Sequence, residues 1–414
     1  MTPTIALIPV TSVIFTLTYL GLAIGKIPTL RVDRAGIAII GMVAMLVAGL
    51  IDMKGAAAAV DYETLALLFG MMVLVACLRI AGFFQLMADL IDRTKPGPMC
   101  LLALTMGLSG LLSAFLVNDV VCVSLTPLIL QVCQRARRNP APYLIGLATA
   151  SNVGSTATIT GNPQNIIIGS LSGISYLRFS ARLAPIAIIG LLVNFLIVAW
   201  FYRNSIREDH PWGDEGLDEH RMESDVGLLW KCGIVISGVL IFFFTGQPIA
   251  VVALGAAAVM LASRIEPERI YRLIDWPLLA MFVGLFVVVH VFNAHVVSQL
   301  RPESWHWLST YPVSAVSGLS LVLSNLVSNV PAVLLFQPII NVMPDSEQAW
   351  LALAMSSTLA GNLTLLGSVA NLIVVENARR SGIEIGFVEY LKVGIPVTLV
   401  TIVLGIGWLA WTNY

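Results

Sequence analysis

Residues 149–165 read TASNVGSTATITGNPQN. Ten of these 17 residues are Asn, Gln, Ser or Thr, two are Gly, one is Pro and none is charged, and apolar sequence flanks the run on both sides. A lipid-facing helix cannot carry such a segment, because irregular backbone at membrane depth is tolerated only where it is buried in protein or lines a wet cavity. The run therefore predicts a membrane span broken near its middle. Asn162 is the expected N-cap of the second half-helix and Pro163 its first helical residue. A helix N-terminus left open at that depth offers free N–H groups and partial positive charge, which suits an anion or an oxygen-rich neutral solute.

The device recurs at 356–371, SSTLAGNLTLLGSVAN. This second run lacks the proline, and four fewer residues separate Asn362 from Gly367 than separate Asn152 from Gly161, which predicts two sites of different shape. Small residues alone would only allow close helix packing, but paired polar runs at equivalent places in two repeats go further than that. The Asn362-Leu363-Thr364 sequon falls inside the run and is read as unused.

The repeat extends along the chain. Val60-Asp61-Tyr62 and Gly70 match Ile274-Asp275-Trp276 and Gly284 at an offset of 214, and Ser113, Asn118 and Pro127 match Ser324, Asn329 and Pro338 at 211. Gly161 and Asn165 match Gly367 and Asn371 at 206. A period near 210 is too long for a solenoid and divides the chain into halves. The first repeat covers 1–203, with spans near 4–25, 34–51, 62–82 and 180–203 and the broken helix at 141–172. The second covers 226–414, with spans near 226–244, 247–264, 275–296 and 387–411 and its broken helix at 347–378. Within each half an apolar stretch interrupted by polar residues, 97–135 and 311–343, is either a re-entrant hairpin or two full spans. The expected fold is an all-α polytopic membrane protein of two inverted repeats. Each repeat has five transmembrane helices plus one re-entrant hairpin, with discontinuous helices at the midplane. Inverted repeats of this kind place a transporter's solute site where the halves meet.

Composition agrees with a lipid setting. Of 414 residues 57% are apolar and 11% charged, against roughly 25% charged in globular chains. The net charge of −1 gives no footing for nucleic acid. The first span lacks a charged leader and a small-residue cleavage site, so it is read as retained. Loop cations set orientation. With the N-terminus outside, 19 of the 23 Lys and Arg residues fall on the cytoplasmic side, leaving Lys54, Arg178, Arg182 and Arg301 opposite. Both termini are thus expected on the non-cytoplasmic side of the inner (plasma) membrane. The one long hydrophilic stretch, 204–225, has ten charged residues of 22 and reads as a cytoplasmic linker. Five cysteines without CxxC spacing read as packing residues. His290 reads as a packed or cavity-lining side chain, and Glu376 and Arg79 as snorkelling to the cytoplasmic ends.

The interruptions of the two hairpins are Leu116-Val117-Asn118-Asp119 and Val327-Ser328-Asn329-Val330. Asp119 then becomes a single deep carboxylate, since Val330 is its repeat partner. An intramembrane acid is costly unless paired, protonated or bound to a cation, which assigns Asp119 to coupling-ion work by proton carriage or Na⁺ ligation.

Together SNVGSTATITGNPQN at 151–165, the Asn118-Asp119 tip with Leu125-Thr126-Pro127, Ser328-Asn329-Val330-Pro331 and GNLTLLGSVAN at 361–371 resemble the Ion Transporter superfamily. Within it the chain is most similar to the ArsB/NhaD-type permeases: arsenite permeases, inorganic-anion permeases with a citrate-transporter-like domain, and plant silicon efflux transporters. The resemblance implies a scaffold of outer helices, a transport unit of hairpins and broken helices, and ion-coupled alternating access. It carries site roles to Asn118, Asp119, Asn152, Asn165, Ser328, Asn329, Asn362 and Asn371. Thr156, Asn162 and Thr364 join the substrate-binding candidates from the polar runs. The expected function is proton-coupled efflux of arsenite or a similar small inorganic oxyacid, with H⁺ favoured over Na⁺, no other cofactor and no metal. The absence of Arg or Lys at midplane positions favours a neutral or weakly charged solute. The alternatives are a Na⁺-coupled symporter of dicarboxylate, citrate or sulfate, a Na⁺/H⁺ antiporter, or, from a different class, an ion channel. An enzyme is not expected, because HExxH, GxSxG and paired intramembrane acids are all missing from the sequence. The expected partners are the solute and the bilayer, with room for a homodimer and a peripheral ATPase subunit.

Overall fold

The computed structural model describes residues 3–24, 32–207, 225–263, 265–299 and 310–412. Most of the linker expected at 204–225 lies outside these residues, as do the loop cations Lys26, Arg31, Arg221, Arg264 and Arg301. Twenty helices are described. The first half holds α1 (Pro3–Ile24), α2 (Arg34–Val47), α3 (Met53–Ala59), α4 (Tyr62–Ile80), α5 (Phe83–Thr94), α6 (Pro98–Phe115), α7 (Asn118–Arg135), α8 (Ala141–Ser155), α9 (Pro163–Ser172), α10 (Tyr176–Phe201) and α11 (Arg203–Arg207). The second holds α12 (Val226–Phe244), α13 (Ile249–Leu261), α14 (Pro267–Tyr271), α15 (Trp276–His295), α16 (Pro312–Val327), α17 (Asn329–Ile340), α18 (Ser346–Ala360), α19 (Val369–Arg380) and α20 (Phe387–Trp411).

Seven described helices are long and apolar enough to cross a bilayer: those within α1, α4, α6, α10, α12, α15 and α20. The spans expected at 34–51 and 247–264 are shorter than the sequence suggested. At 14 and 13 residues α2 and α13 extend only about 20 Å each. α2 stops because Gly49 takes φ +65, a left-handed conformation that glycine adopts without steric cost.

The repeat is visible in how the halves pack, since each pairs with the other as a near-mirror in sequence. α2 lies on α15 and α4 on α13. At each crossing the matched glycine lets two backbones touch. A Cβ on Gly70 would fall 2.6 Å from the carbonyl atoms of Ala253, and one on Gly284 equally close to those of Ala38.

The hairpins turn back at mid-depth. α6 runs parallel to α8, with Ser109 Oγ donating to Leu147 O at 2.8 Å and Ser113 Oγ to Ser151 Oγ at 3.2 Å. α6 ends at Phe115, level with the end of α8 at Ser155, where the fourth span breaks. α7 then returns beside the entrance, where Arg138 Nη1 donates to Pro96 O at 2.9 Å and Arg135 pairs with Asp92 at 3.0 Å. α16 and α17 repeat the arrangement against α18. The re-entrant alternative is therefore the one adopted.

α1 is latched to the second hairpin. Tyr19 Oη donates to Pro331 O at 3.2 Å, with Phe15 stacked on Tyr19 and on Phe292 of α15 at centroid distances of 4.1 and 3.7 Å. Tyr19→Phe keeps the stack and removes the hydrogen bond, at a cost of about 1 kcal/mol. Faster amide exchange across 328–340, with 118–135 unchanged, is the expected readout by mass spectrometry. Equal exchange in both hairpins would show that the bond does not hold the second one.

Candidate functional site

The two broken helices meet at the centre of the molecule. In the first, α8 gives way to an unwound stretch with a single 3-10 turn at Ile159–Gly161, and α9 starts at Pro163 with Asn162 as N-cap. The Asn162 side chain accepts from the Asn165 backbone N–H at 2.8 Å. In the second, the turn is Leu365–Gly367 and Ser368 caps α19, accepting from Ala370 N at 3.2 Å.

Each unwound stretch is held by one asparagine. Asn165 Nδ2 donates to the carbonyls of Ser155 (3.1 Å) and Thr158 (3.0 Å), and Asn371 Nδ2 to those of Gly361 (2.8 Å) and Thr364 (3.2 Å). These matched bonds set the register at an offset of 206 throughout. Asn362 is thus the counterpart of Thr156, and Asn152 that of Thr358. The two unwound stretches are of equal length, because Asn152 and Asn362, alike in residue type, occupy positions that the backbone does not equate.

The halves also bond to each other symmetrically. Asn162 Nδ2 donates to Thr358 Oγ1 (3.1 Å), as Ser368 Oγ donates to Asn152 Oδ1 (3.0 Å). Thr358 Oγ1 donates to Asn165 Oδ1 (3.3 Å), as Asn152 Nδ2 donates to Asn371 Oδ1 (3.0 Å). Asn152 Nδ2 also reaches Asn362 Oδ1 at 2.8 Å, Asn362 Nδ2 reaches Thr149 O at 3.1 Å, and Asn118 Nδ2 reaches Asn152 Oδ1 at 3.1 Å. Asn152, Thr156, Asn162, Asn165, Asn362 and Asn371 are all buried. None of them lines a described cavity, and neither does Thr364, which bonds Asn325 at 3.3 Å. Their work in this structure is to satisfy backbone and side chains that the break leaves open.

Beside this network lies a cavity of about 560 Å³. Four candidates from the sequence line it: Asn118, Asp119, Ser328 and Asn329. The N-termini of α7, α9, α17 and α19 all reach its wall, contributing Asp119, Pro163, Val330 and Val369 among others. Asn118 and Asn329 each keep a buried side-chain oxygen without a hydrogen-bond partner. Ser328 holds φ +76, an uncommon conformation for a residue with a Cβ. Asp119 is half-buried and has neither a hydrogen bond nor an ion pair among the described residues. Nearer the mouth stand Asp33, Arg34 and Asp275, where Asp33 and Asp275 cap α2 and α15 by accepting from Gly36 N (2.9 Å) and Leu278 N (3.0 Å). Three carboxylates and one guanidinium thus line the cavity.

Sequence reading passed over Gln164, Ser368, Arg34 and Asp275 as lining residues. Gln164 stood inside the quoted run and Asp275 among the repeat landmarks, but only the packing of the halves brings them to one wall. His290 lines a separate recess of about 370 Å³ with Asp61, Asn293 and Gln337. Glu376 sits at an exposed helix end paired with Arg379 and Arg380 at 3.0 and 3.2 Å.

The profile of the CitMHS family, described as citrate transporter, matches residues 19–360. The chain belongs to that family. A transporter of Mycobacterium tuberculosis is 31% identical over 93% of this chain and 95% of its own length. The silicon efflux transporter LSI3 of Oryza sativa is 30% identical over 94% of both chains, and a Dictyostelium discoideum transporter named arsB is 26% identical over 91% of this chain and 87% of its own. Among solved structures the Alcanivorax borkumensis YdaH transporter, with a topology described as unusual, superposes with a TM-score of 0.60 over 100% of this chain and 98% of that one, at 16% identity. This CitMHS-family chain is thus a multi-pass secondary transporter.

Proposed function

We propose that the chain exports a small, neutral or weakly charged inorganic oxyacid, arsenite or a close analogue such as silicic acid, in exchange for protons, with Asp119 carrying the proton. The observation that carries this reading is the lining of the cavity. It presents one unpaired half-buried carboxylate, Asp119, and several amide and hydroxyl groups, and its one described cationic lining residue, Arg34, is outnumbered by the carboxylates of Asp33, Asp119 and Asp275. A multiply charged anion would meet helix N-termini and one guanidinium against three carboxylates. A solute that carries its own O–H groups needs no counter-charge. The silicon efflux relative supports the same class. Loop cations favour a cytoplasmic opening for the cavity, with the protein in the inner (plasma) membrane and both termini outside.

A second reading, Na⁺-coupled movement of citrate or a related carboxylate, is favoured by the description of the family profile. The two are separated in proteoliposomes containing a pH-sensitive dye. Arsenite, antimonite, silicate, sulfate and citrate are supplied with and without a Na⁺ gradient. Proton movement driven by arsenite or silicate and indifferent to Na⁺ is the expected result. Na⁺-dependent uptake of citrate or sulfate, with no response to arsenite or silicate, would overturn it.

A further inference from the structure

The two halves contribute unequally to the cavity: besides Asp119, whose counterpart is Val330, the inequality falls on Gln164. Gln164, in the first turn of α9, lines the cavity and is 5% exposed. At the offset of 206 its counterpart is Ala370, which carries no polar group. The second half's α19 turns Val369 and Leu372 to the same cavity, with Leu366 just before it. The first half's share of the lining thus carries Asn118, Asp119 and Gln164, and the second half's carries Asn325, Ser328, Asn329 and Ser368 among apolar neighbours, with no amide side chain on α19 to match Gln164.

Gln164 is also dispensable to the network behind it. Its Nε2 reaches Thr358 Oγ1 at 3.4 Å, but that hydroxyl already accepts from Asn162 at 3.1 Å and donates to Asn165 at 3.3 Å. Removing the glutamine amide leaves no buried group without a partner. Its Oε1, by contrast, makes no hydrogen bond within the described residues. Beside it are the buried, unpartnered oxygens of Asn118 and Asn329. The Gln164 Oε1 is thus an acceptor left free in the wall of the cavity. Such a group rewards a solute that donates to it and disfavours one that does not, because it would otherwise stay unpaired.

Resting on the oxyacid reading, we infer that Gln164 is a specificity-determining residue: its Oε1 accepts a hydroxyl proton of the bound solute and so selects a hydroxyl-bearing acid over an oxyanion that has no O–H group. The first-half origin of both Gln164 and Asp119 gives the solute one fixed orientation in the cavity.

The test uses the full chain in proteoliposomes, with arsenous acid and silicic acid as probes, comparing Gln164→Met, which preserves length and volume without an acceptor, with Gln164→Asn, which restores a shorter one. Half-saturation for both acids is expected to rise about tenfold in Gln164→Met, the weight of one neutral hydrogen bond, with the maximal rate retained and part of the loss recovered in Gln164→Asn. A residue that merely packs would instead lower the maximal rate for every solute and leave half-saturation unchanged, which would overturn the assignment. If Gln164→Met does not accumulate in the membrane, Gln164→Asn compared with wild type still decides, since unaltered half-saturation there would also count against it. Failure of the wild type to move either acid, with Na⁺-driven citrate uptake in its place, would remove the oxyacid reading itself, and this assignment with it.

Discussion

Asp119→Asn is expected to abolish proton movement driven by the solute, with a loss of about 100-fold or more in coupled efflux, the weight of one positioned proton-transfer group. The substitution is isosteric, so the tip of the first hairpin keeps its packing and loses only its ability to ionise. Asp119 is suited to the role because it lines the cavity, is half-buried and has no bonded partner among the described residues. An acid at membrane depth in that state must be protonated or hold a cation. Its counterpart Val330 shows that the hairpin tip does not need a carboxylate to fold. Counterflow, in which solute exchanges for solute with no net proton transfer, should persist in the variant. Dye-reported proton flux and isotope or arsenic counterflow in the same vesicles separate the two. Retention of coupled flux would remove Asp119 from the coupling step, and loss of counterflow as well would place it in solute binding.

The second large effect is on folding. Asn165→Leu removes one side chain that ties together three groups: the Ser155 and Thr158 carbonyls and the Thr358 hydroxyl of the other half. Asn165 is fully buried, so water cannot replace it. Each orphaned buried group costs about 1–3 kcal/mol, which puts the loss at roughly 3–5 kcal/mol, a large share of a total stability of about 5–15 kcal/mol. Asn371→Leu should cost a similar amount, because it orphans the matching carbonyls of Gly361 and Thr364. Thr156→Val provides the contrast. Its hydroxyl only bonds back to Asn152 O at 3.3 Å within the same helix end, so a loss of about 1 kcal/mol or less is expected. Thermal unfolding of the detergent-purified variants, followed by size exclusion, ranks them. Asn165→Leu unfolding with the wild type would mean that the unwound stretch is held by packing and not by this amide.

How much of this was legible in the sequence depended on whether a residue's role is local. Asn162 and Pro163 announce a helix start by their own chemistry, and the structure puts the N-cap and the first turn of α9 there. The broken helices were legible for the same reason, since a run with no charge and ten polar residues has few other homes in a membrane. The hairpins were not decided, because an 18-residue arm such as α6 is long enough either to cross or to turn back. Only its contacts with α8, which carry it to the level of the break in the fourth span, fix the outcome. Asn152 and Asn362 were aligned by letter, whereas the carbonyls accepting from Asn165 and Asn371 align Asn362 with Thr156. Gln164, Arg34 and Asp275 come to the cavity through the crossing of halves some 200 positions apart, an arrangement that no local pattern encodes.

The reciprocal bonds between the broken helices have a consequence for how the molecule is made. When Asn165 enters the bilayer its partner Thr358 has not been synthesised, and Asn371 follows it by 206 positions. At 5–20 residues per second the ribosome needs about 10–40 s to deliver the second run. For that interval the newborn first half lacks Thr358, which accepts from Asn162 and donates to Asn165, and lacks Asn362 and Asn371, which accept from Asn152. Either the half stays unsettled in the insertion machinery until its sister arrives, or it borrows water and lipid headgroups as stand-ins. The core of this transporter is therefore completed late, in a single meeting of two halves, and the first of them is most vulnerable to quality control while it waits.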